Sequence, residues 1–227
     1  MNSTSDPHNA LPPNALPPNA PPSHATLAHE SQPVLDFWFA DGLQANWPTQ
    51  EMKATWFGGG PALDAHITAA FGEQVRQALA GSLQAWEMQP LSRLALIVLL
   101  DQFTRHMFRG SSRAFEGDPV AQQLVMAALA NASEPPLPVV CRVFLYMPLM
   151  HAEDSVLQNE CVSRFTQLAA DAPDTLKSRL QNHLDFARQH QRIIATFGRF
   201  PHRNAALGRT STAAEEQFLL NGPRFGQ

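Results

Sequence analysis

Residues 94–121 read LALIVLLDQFTRHMFRGSSRAFEGDPVA and decide what kind of fold this chain can adopt. The stretch opens with an unbroken apolar run, Leu94 to Leu100, which predicts a helix buried on every side. The turns that follow carry polar and charged groups that are costly to bury unless they are paired. In proteins such groups form either a structural network in the core or a functional site. Both interpretations apply to Asp101, Gln102, Arg105, His106 and Arg109.

The composition is that of a globular protein rather than of a dedicated nucleic-acid binder. The chain has 227 residues, a formal net charge of -4 and a pI near 6.1, whereas dedicated nucleic-acid binders carry a basic surplus. We therefore expect no nucleic-acid partner. The two cysteines, Cys141 and Cys161, lack CxxC spacing, which argues against a disulfide scaffold or a cysteine-based zinc site and indicates a reducing compartment.

The sequence predicts neither a membrane segment nor a targeting segment. The run Leu94–Leu100 is far shorter than the roughly 20 residues that cross a bilayer, and Arg93 and Asp101 flank it closely. The N-terminus lacks the basic and apolar regions of a secretory signal. We expect a soluble, cytoplasmic protein without a membrane partner, and the sequence leaves the oligomeric state open.

The first 31 residues form a proline-rich segment. The unit Asn-Ala-Leu-Pro-Pro begins at Asn9 and again at Asn14, and a degenerate copy begins at Asn19. Such a segment cannot propagate a helix or bury enough surface to order itself. We predict a disordered tail over residues 1–31 and a single domain over residues 32–227. The tail is either a low-complexity extension or a proline-rich motif for a partner.

From Pro33 onward the pattern is helical, and no alternating strand of useful length occurs. Proline or capping residues mark the helix starts, and glycine marks several ends. Short turns favour antiparallel neighbours, so we predict an all-α antiparallel helical array. The predicted helices start at Pro33 and near Glu51, then cover Pro61–Ala80, Pro90 to Gly110, Asp118–Asn131, Pro138–Met147, Ser155–Ala170 and Asp174–Phe197, with a last one after a capping box at Thr212.

The first chemical candidate lies at the end of the central predicted helix. Asp101, Arg105 and Arg109 follow one another at i,i+4 spacing, next to a stripe formed by Gln102 and His106. In one interpretation Asp101 orients Arg105, and Arg109 grips an anion, because a guanidinium can hold a carboxylate or phosphate with two hydrogen bonds. In the other interpretation the stripe is a structural network of ion pairs.

The second candidate is the segment Tyr146–Asp154. His151 and Asp154 are spaced i,i+3 with Glu153 between them, so they could supply a general base or metal ligands. The alternative is structural, because carboxylates just before Ser155 are also what the first turn of a helix prefers.

The third candidate is a positively charged turn. From Phe186 to Ala214 the chain has no acidic residue, although five arginines occur there. This local charge suits an anionic ligand, or its arginines neutralise carboxylates elsewhere in the fold. Its central polar members are Arg199, His202, Arg203 and Asn204.

No motif for a cofactor, a metal or a covalent nucleophile is present in the sequence. The glycines of Gly58–Gly60 do not match a phosphate loop, and neither an HExxH motif nor a nucleophile elbow occurs. His183 and His190 share a helix face without a third ligand, so we interpret them as ordinary helix residues. We expect no metal and no cofactor, and core thiols at Cys141 and Cys161.

Blocks spread over nearly all of the chain after residue 31 have the pattern of a known family. They include Val34-Leu-Asp-Phe-Trp-Phe39, Leu99-Leu-Asp-Gln-Phe103, Phe144-Leu-Tyr-Met-Pro-Leu149 and Phe197-Gly-Arg-Phe-Pro-His-Arg-Asn204. Together they resemble the bacterial family called domain of unknown function 924. The resemblance implies an all-α, tetratricopeptide-like fold and no particular reaction. It marks these polar positions: Asp101, Gln102, Arg109, Arg113, His151, Glu153, Asp154, Arg199, His202, Arg203 and Asn204.

This chain departs from the family pattern at a few positions. Thr104 and His106 stand where proline and asparagine are expected, and Met150 replaces a glutamate expected before His151. If that glutamate is a metal ligand or a base in relatives, this chain lacks it, which argues against metal chemistry.

We expect the three candidates to meet in one Arg/His/Asp-lined cleft for a small anionic ligand or a peptide carboxylate. If the protein is an enzyme, which the sequence leaves undecided, His151, His202 or Glu153 would transfer protons. The alternative is a protein-interaction scaffold in which the same residues form internal salt bridges. A shared, solvent-reachable pocket for His151, His202, Arg109 and Arg203 would favour a ligand site, whereas scattered or fully paired side chains would favour the scaffold.

Overall fold

The computed structural model describes residues 23–131, 137–223 and 225. Within these ranges the chain is all-helical and contains no strand, as the sequence predicts. No helix there is both long and apolar enough to cross a bilayer. The α-helices are α1 (His24–Phe39), α2 (Gly42–Ala45), α3 (Pro61–Leu79), α4 (Pro90–Ile97), α5 (Thr104–Met107), α6 (Asp118–Ala130), α7 (Val139–Met150), α8 (Ser155–Ala170), α9 (Lys177–Phe197) and α10 (Ala213–Asn221).

The α-helices pack on one another, and short π-helical and 3₁₀ turns complete the helical framework. Helices that follow one another pack together, as α8 does with α7 and α9, and α1 also packs on α4. The tetratricopeptide-like arrangement stays a prediction. Two π-helical turns cover Ala54–Gly58 and Val98–Phe103, and 3₁₀ turns cover Gln84–Met88, Ser112–Phe115 and Pro201–Arg203.

The predicted central helix is confirmed as one continuous helical segment, Pro90–Met107, which we call the central helix. Helices α1, α3, α6 and α7 pack around it, which explains why the run from Leu94 to Leu100 has no polar face. Its middle, Val98–Phe103, is π-helical. Such turns interrupt the regular ladder and occur frequently at functional sites. Here the π-helical turn carries Asp101 and Gln102, both buried.

Helix α6 begins in direct backbone contact with the central helix. A Cβ added to Gly117 would overlap the carbonyl oxygen of Leu100 and would lie 3.0 Å from its carbonyl carbon. Only glycine therefore allows this approach. The contact brings the next residue, Asp118, beside Arg105 of the central helix.

The first helix begins earlier than the sequence predicts. Helix α1 starts at His24, where the Ser23 hydroxyl oxygen accepts a hydrogen bond from the Thr26 N–H at 3.2 Å, and Pro33 lies inside the helix. Burial of Leu27 against the core favours the longer helix despite the backbone N–H that proline lacks. The tail prediction is therefore wrong for residues 23–31, and for residues 1–22 it lies outside the described residues.

An aromatic cluster fixes one wall of the later site. The Trp38 ring packs edge-on against Phe103 and Phe144, with centroids 5.3 Å and 5.5 Å apart. Trp56 contacts Phe144 at 5.0 Å, and its indole N–H donates to the Trp38 carbonyl oxygen at 2.8 Å. Because this hydrogen bond ties the turn Ala54–Gly58 to α1, the turn is held in place beside the central helix.

Candidate functional site

A cavity of about 570 Å³, which we call the cleft, lies where the end of the central helix meets α7, α9 and the turn Pro201–Arg203. The turn Ala54–Gly58 forms the remaining wall. A pocket shared by four residues is the observation expected to favour a ligand site over a scaffold. All four line the cleft: His151, His202, Arg109 and Arg203.

His151, which lines the cleft, forms a pair with the buried Asp101. The imidazole Nδ1 of His151 lies 2.8 Å and 3.0 Å from the two carboxylate oxygens of Asp101. An ionised carboxylate only accepts hydrogen bonds, so Nδ1 carries a ring proton, and in the neutral imidazole Nε2 is the nitrogen with the lone pair. Among the described residues no group hydrogen-bonds to this Nε2, and His151 lines the cleft.

The charge of Asp101 is maintained although the side chain is fully buried. Burial by itself would raise the pKa of Asp101, but Arg105, His151 and the amide of Gln102 outweigh it and hold that pKa well below its usual range. Gln102 Nε2 donates to the Asp101 carboxylate at 2.5 Å, and Arg105 Nη1 donates to its backbone oxygen. The prediction that Asp101 and Arg105 pair is therefore correct.

A second buried carboxylate, Asp118, joins two arginines of the site. Arg105 Nη1 and Nη2 lie 2.9 Å and 3.0 Å from the carboxylate oxygens, and Arg203 Nη1 donates to Oδ2 at 3.2 Å. Burial would lower the pKa of Arg105, but Asp101 and Asp118 together raise it. Arg105 is thus saturated by carboxylates, whereas Arg203 is only partly neutralised.

Arg203 is held rigidly and keeps unused donors. Its guanidinium lies between the rings of Phe115 and Phe200, 4.5 Å and 4.7 Å from their centroids. Burial lowers the pKa of Arg203 to about 10, although Asp118 opposes the change. Its Nε is buried without a hydrogen-bond partner, and within the described part of the chain none contacts Nη2 either. These two nitrogens form the edge of a guanidinium that binds carboxylate or phosphate oxygens in pairs.

The neighbouring His202 repeats this pattern. Its Nδ1 is also buried without a partner, and its ring lies 5.4 Å from that of Phe200. Burial and then the charge of Arg203 lower the pKa of His202 to about 3, so the imidazole is neutral near pH 7. Two adjacent residues of the cleft lining thus each have a buried nitrogen without a partner, although buried polar groups are normally paired.

The opposite end of the cleft is aromatic. Trp47, Trp56, Phe57 and Phe186 line it, and the rings of Trp47 and Trp56 meet at 86° with centroids 5.8 Å apart. Arg179 adds a guanidinium 5.7 Å from the centroid of Trp47. Phe57 and Phe186 are each 51% exposed, so the cleft is open to solvent at this end.

Arg109 lines the cleft but has a different role from the one predicted. Its Nε and Nη2 donate to the two carboxylate oxygens of Asp64 at 2.9 Å and 3.0 Å, and His106 Nδ1 contacts the same carboxylate at 2.8 Å. A Cβ at Gly59, whose φ is +66°, would lie 2.6 Å from Arg109 Nη2. The expectation that Arg109 is left to grip an anion is therefore wrong, because α3 supplies its carboxylate.

The carboxylate of Glu153 binds an arginine rather than facing the cleft. Arg209 donates to Glu153 through Nη1 and Nη2 at 2.6 Å and 2.9 Å, and the Phe200 backbone N–H donates at 2.7 Å. Burial would raise the pKa of Glu153, but these partners lower it. Arg199 similarly pairs with Glu215 at 2.6 Å. Glu153 and Arg199 therefore fasten the turn after α9 rather than line the cleft.

Three more candidate positions do not line the cleft. Asn204 is buried and bonds to Ser211 and Arg209. Arg113 is exposed, stacks on Phe108 and pairs with Glu116. The carboxylate of Asp154 accepts hydrogen bonds from the first backbone N–H groups of α8 at 2.8 Å and 2.9 Å, so its helix-capping alternative is the correct one.

The sequence interpretation missed one face of α9. His183 and His190 are not ordinary helix residues, since both line the cleft, and burial lowers the pKa of His183 to about 4 and that of His190 to about 3. The signal was present in the sequence: Arg179, His183, Phe186 and His190 are spaced i, i+4, i+7 and i+11, which is one helical face.

No group of three or more histidine, cysteine or acidic side chains within the described ranges is placed to hold a metal ion. The residues that could hold a ligand are therefore the cationic, imidazole and aromatic groups described above.

Comparisons with known proteins identify relatives but no activity. A family model described as "Bacterial protein of unknown function (DUF924)" matches residues 34–223. A solved structure described as a protein of unknown function, ATU0120 from Agrobacterium tumefaciens, is 31% identical, with a TM-score of 0.68 over 86% of this chain and 99% of that chain. No curated protein matches.

Proposed function

This chain belongs to the DUF924 family of bacterial proteins, and from the geometry of its cleft we propose that it binds a small anionic molecule and transfers a proton through His151. One observation carries the proposal. The Asp101–His151 pair faces the same cavity as Arg203 and His202, whose buried nitrogens have no partners in the described protein.

Arg203 supplies the binding step. The side edge of its guanidinium matches two oxygens of a carboxylate or phosphate, and the rings of Phe115 and Phe200 already fix its orientation. Little side-chain entropy is therefore lost when an anion binds. Asp118 neutralises Arg105 and part of the Arg203 charge, which keeps a buried cation stable before the ligand arrives.

His151 supplies the proton-transfer step. Its Nε2 accepts a proton from an O–H or other acidic group of the bound molecule, or from a water molecule, and the imidazolium that forms is stabilised by Asp101. The same nitrogen then returns the proton to the product. A carboxylate that fixes the tautomer of an imidazole is the arrangement that makes histidine an effective general base.

An interaction scaffold is the second candidate, and a specific observation favours it. Glu153–Arg209 and Glu215–Arg199 fasten the turn around Pro201 with short ion pairs, as internal struts would. In that case the cleft is the groove for a peptide segment, and a peptide carboxylate would take the place of the small anion. A tetratricopeptide-like arrangement and a cytoplasmic location belong to either proposal.

Calorimetric titration with inorganic phosphate and with acetate tests the binding step. We expect either anion to bind the wild-type protein, and Arg203→Met to weaken binding by about 10-fold or more, because a charge-assisted hydrogen bond contributes about 1.5–3 kcal/mol. Arg76→Met is the matched control, since Arg76 is a surface residue paired with Glu73. Equal affinities for wild type and Arg203→Met would refute the proposal and favour the scaffold.

Nitrogen-15 NMR of the imidazoles tests the proton-transfer step. We expect His151 to be the Nδ1-protonated tautomer at neutral pH, and Asp101→Asn to change that tautomer. Phosphate affinity should persist in His151→Gln, because the anion is assigned to Arg203. Observation of an Nε2-protonated His151 in the wild-type protein would contradict the assignment of His151 as general base.

A further inference from the structure

We propose that the molecule bound in the cleft carries a flat aromatic ring as well as its anionic group. This inference rests on the proposed function, since the anionic end of the ligand is the one assigned to Arg203. The observation behind it is that the lining of one cavity combines Arg203 and His202 with a separate group of aromatic side chains, Trp47, Trp56, Phe57 and Phe186.

The cleft has room for more than an anionic head group. A volume of about 570 Å³ lies within the range of roughly 300–1,000 Å³ found for small-molecule pockets. A phosphate or carboxylate at Arg203 would fill only a small part of it. The rest of the ligand must extend from Arg203 toward the open end beside Phe57 and Phe186.

The exposed phenyl groups at that end are not a scattered surface feature. Phe57 lies on the turn Ala54–Gly58 and Phe186 lies on α9, yet both line the same cavity and both are 51% exposed. Single exposed apolar residues are common on proteins, but apolar groups from separate elements that share one cavity are typical of a binding surface. Burial of both rings by a ligand would be favourable.

The chemistry of this end favours a ring over an alkyl chain. Leucine, isoleucine and valine are absent from the described lining residues, and apart from Met147 and Met150 the large apolar side chains there are aromatic. Trp47 and Trp56 meet nearly at right angles, and His183 lies beside Trp47 with centroids 6.2 Å apart. Aromatic rings prefer the offset-stacked and edge-on contacts that such a corner offers. The guanidinium of Arg179 adds a cation that also favours a π-face.

The test compares four phosphates by calorimetry: inorganic phosphate, methyl phosphate, phenyl phosphate and hexyl phosphate. We expect phenyl phosphate to bind the wild-type protein at least 10-fold more tightly than methyl phosphate. Phe57→Ala and Phe186→Ala should each remove part of that difference and leave the affinity for methyl phosphate unchanged. Leu220→Ala is the control, since Leu220 is an exposed apolar residue outside the cleft.

The outcomes separate this inference from the proposed function. Equal binding of phenyl and methyl phosphate, with both dependent on Arg203, would overturn the aromatic end and leave the anion site intact. If hexyl phosphate binds as tightly as phenyl phosphate, the proposal of an aromatic ring is wrong, and the apolar part of the ligand is an alkyl chain instead. Binding of phenyl phosphate that Arg203→Met does not weaken would overturn the proposed function, as would failure of all four compounds to bind, and this inference would then fail with it.

Discussion

Asp118 links the stability of the fold to the charge of the cleft, because its carboxylate contacts two arginines that line the cleft. Its carboxylate contacts Arg105 at 2.9 Å and 3.0 Å and Arg203 at 3.2 Å, and all three side chains are nearly buried. The substitution Asp118→Asn preserves size and removes one negative charge. Arg105 keeps Asp101 as a partner, whereas Arg203 loses its ion-pair partner and retains the aromatic rings around it and the more distant charges of Glu153 and Asp101.

The expected cost follows from that difference. Removal of one partner from a buried ion pair destabilises a protein by about 3–5 kcal/mol, because the remaining charge is uncompensated. Since Arg105 retains Asp101, we expect Asp118→Asn to reach the lower end, about 3 kcal/mol. For a chain of this length that loss corresponds to a decrease in Tm of roughly 6–12 °C.

Thermal and urea unfolding measure this loss directly, with Asp174→Asn as the control. The Asp174 side chain is 92% exposed, so its substitution should change the free energy of unfolding by less than about 0.5 kcal/mol. The double variant Asp118→Asn/Arg203→Met should lose less free energy of unfolding than the sum of the losses of the two single variants, because it contains no unpaired cation. A fully additive double variant, or an Asp118→Asn protein as stable as wild type, would refute the reasoning.

Three further predictions concern packing, pH and thiol reactivity. Gly117→Ala should destabilise the protein by about 1–3 kcal/mol in urea unfolding, because its Cβ overlaps the Leu100 backbone. Because burial lowers the pKa of His190 from 6.5 to about 3, the unfolded chain binds a proton there that the folded chain does not. The contribution of His190 to stability is therefore complete above pH 6.5 and is lost between pH 6.5 and about 3, by up to about 1.4 kcal/mol per pH unit, and His190→Gln should reduce the total slope by this amount. Burial raises the pKa of both thiols, that of Cys141 to about 12, so a disulfide reagent should modify neither Cys141 nor Cys161 until the protein unfolds.

Each of these predictions has a control or an outcome that contradicts it. Gly58→Ala is the matched control for packing, since its Cβ would meet Ala54 at an ordinary 3.7 Å. His29→Gln, at an exposed position of α1, should leave the pH slope unchanged, and stability that rises on acidification below pH 6.5 would contradict the pKa argument. Rapid modification of either cysteine in the native protein would show that its thiol is reachable without unfolding.

Much of the helical framework could be predicted because its signals are local. Helix α8 has the predicted bounds, Ser155–Ala170, and the capping box at Thr212 forms as its spacing indicates. Such caps involve residues three or four positions apart. The start of α1 could not be predicted in this way, because burial of Leu27 depends on elements that are distant in sequence. This burial favours a helix that begins before Pro33, although proline is typical of a helix start.

The partners of the charged residues could not be predicted from spacing. Arg109 binds Asp64, which is 45 positions away, and Arg203 binds Asp118, which is 85 positions away. A helical stripe shows which side chains share a face, but the packing of α3 on the central helix brings Asp64 to Arg109, and the position of the turn Pro201–Arg203 beside α6 brings Asp118 to Arg203. For this reason the residue expected to grip an anion, Arg109, is bound internally, while Arg203 keeps open donors.

A stable core and the proposed site do not exclude one another in this protein, because the same ion-pair network contributes to the core and borders the cleft. Asp101 and Asp118 neutralise Arg105 completely and Arg203 incompletely. A purely structural network would satisfy every buried donor, since an unpaired one costs about 1–3 kcal/mol. Of the buried side-chain nitrogens without a partner in the described residues, those of Trp38 and Arg142 lie outside the cleft lining, whereas those of His202 and Arg203 belong to adjacent residues that line the same cavity as the imidazole oriented by Asp101. The ion pairs stabilise the fold around the cleft but leave nitrogens of Arg203 and His202 without partners among the described residues. In the proposed function, an anion would supply the missing negative charge there.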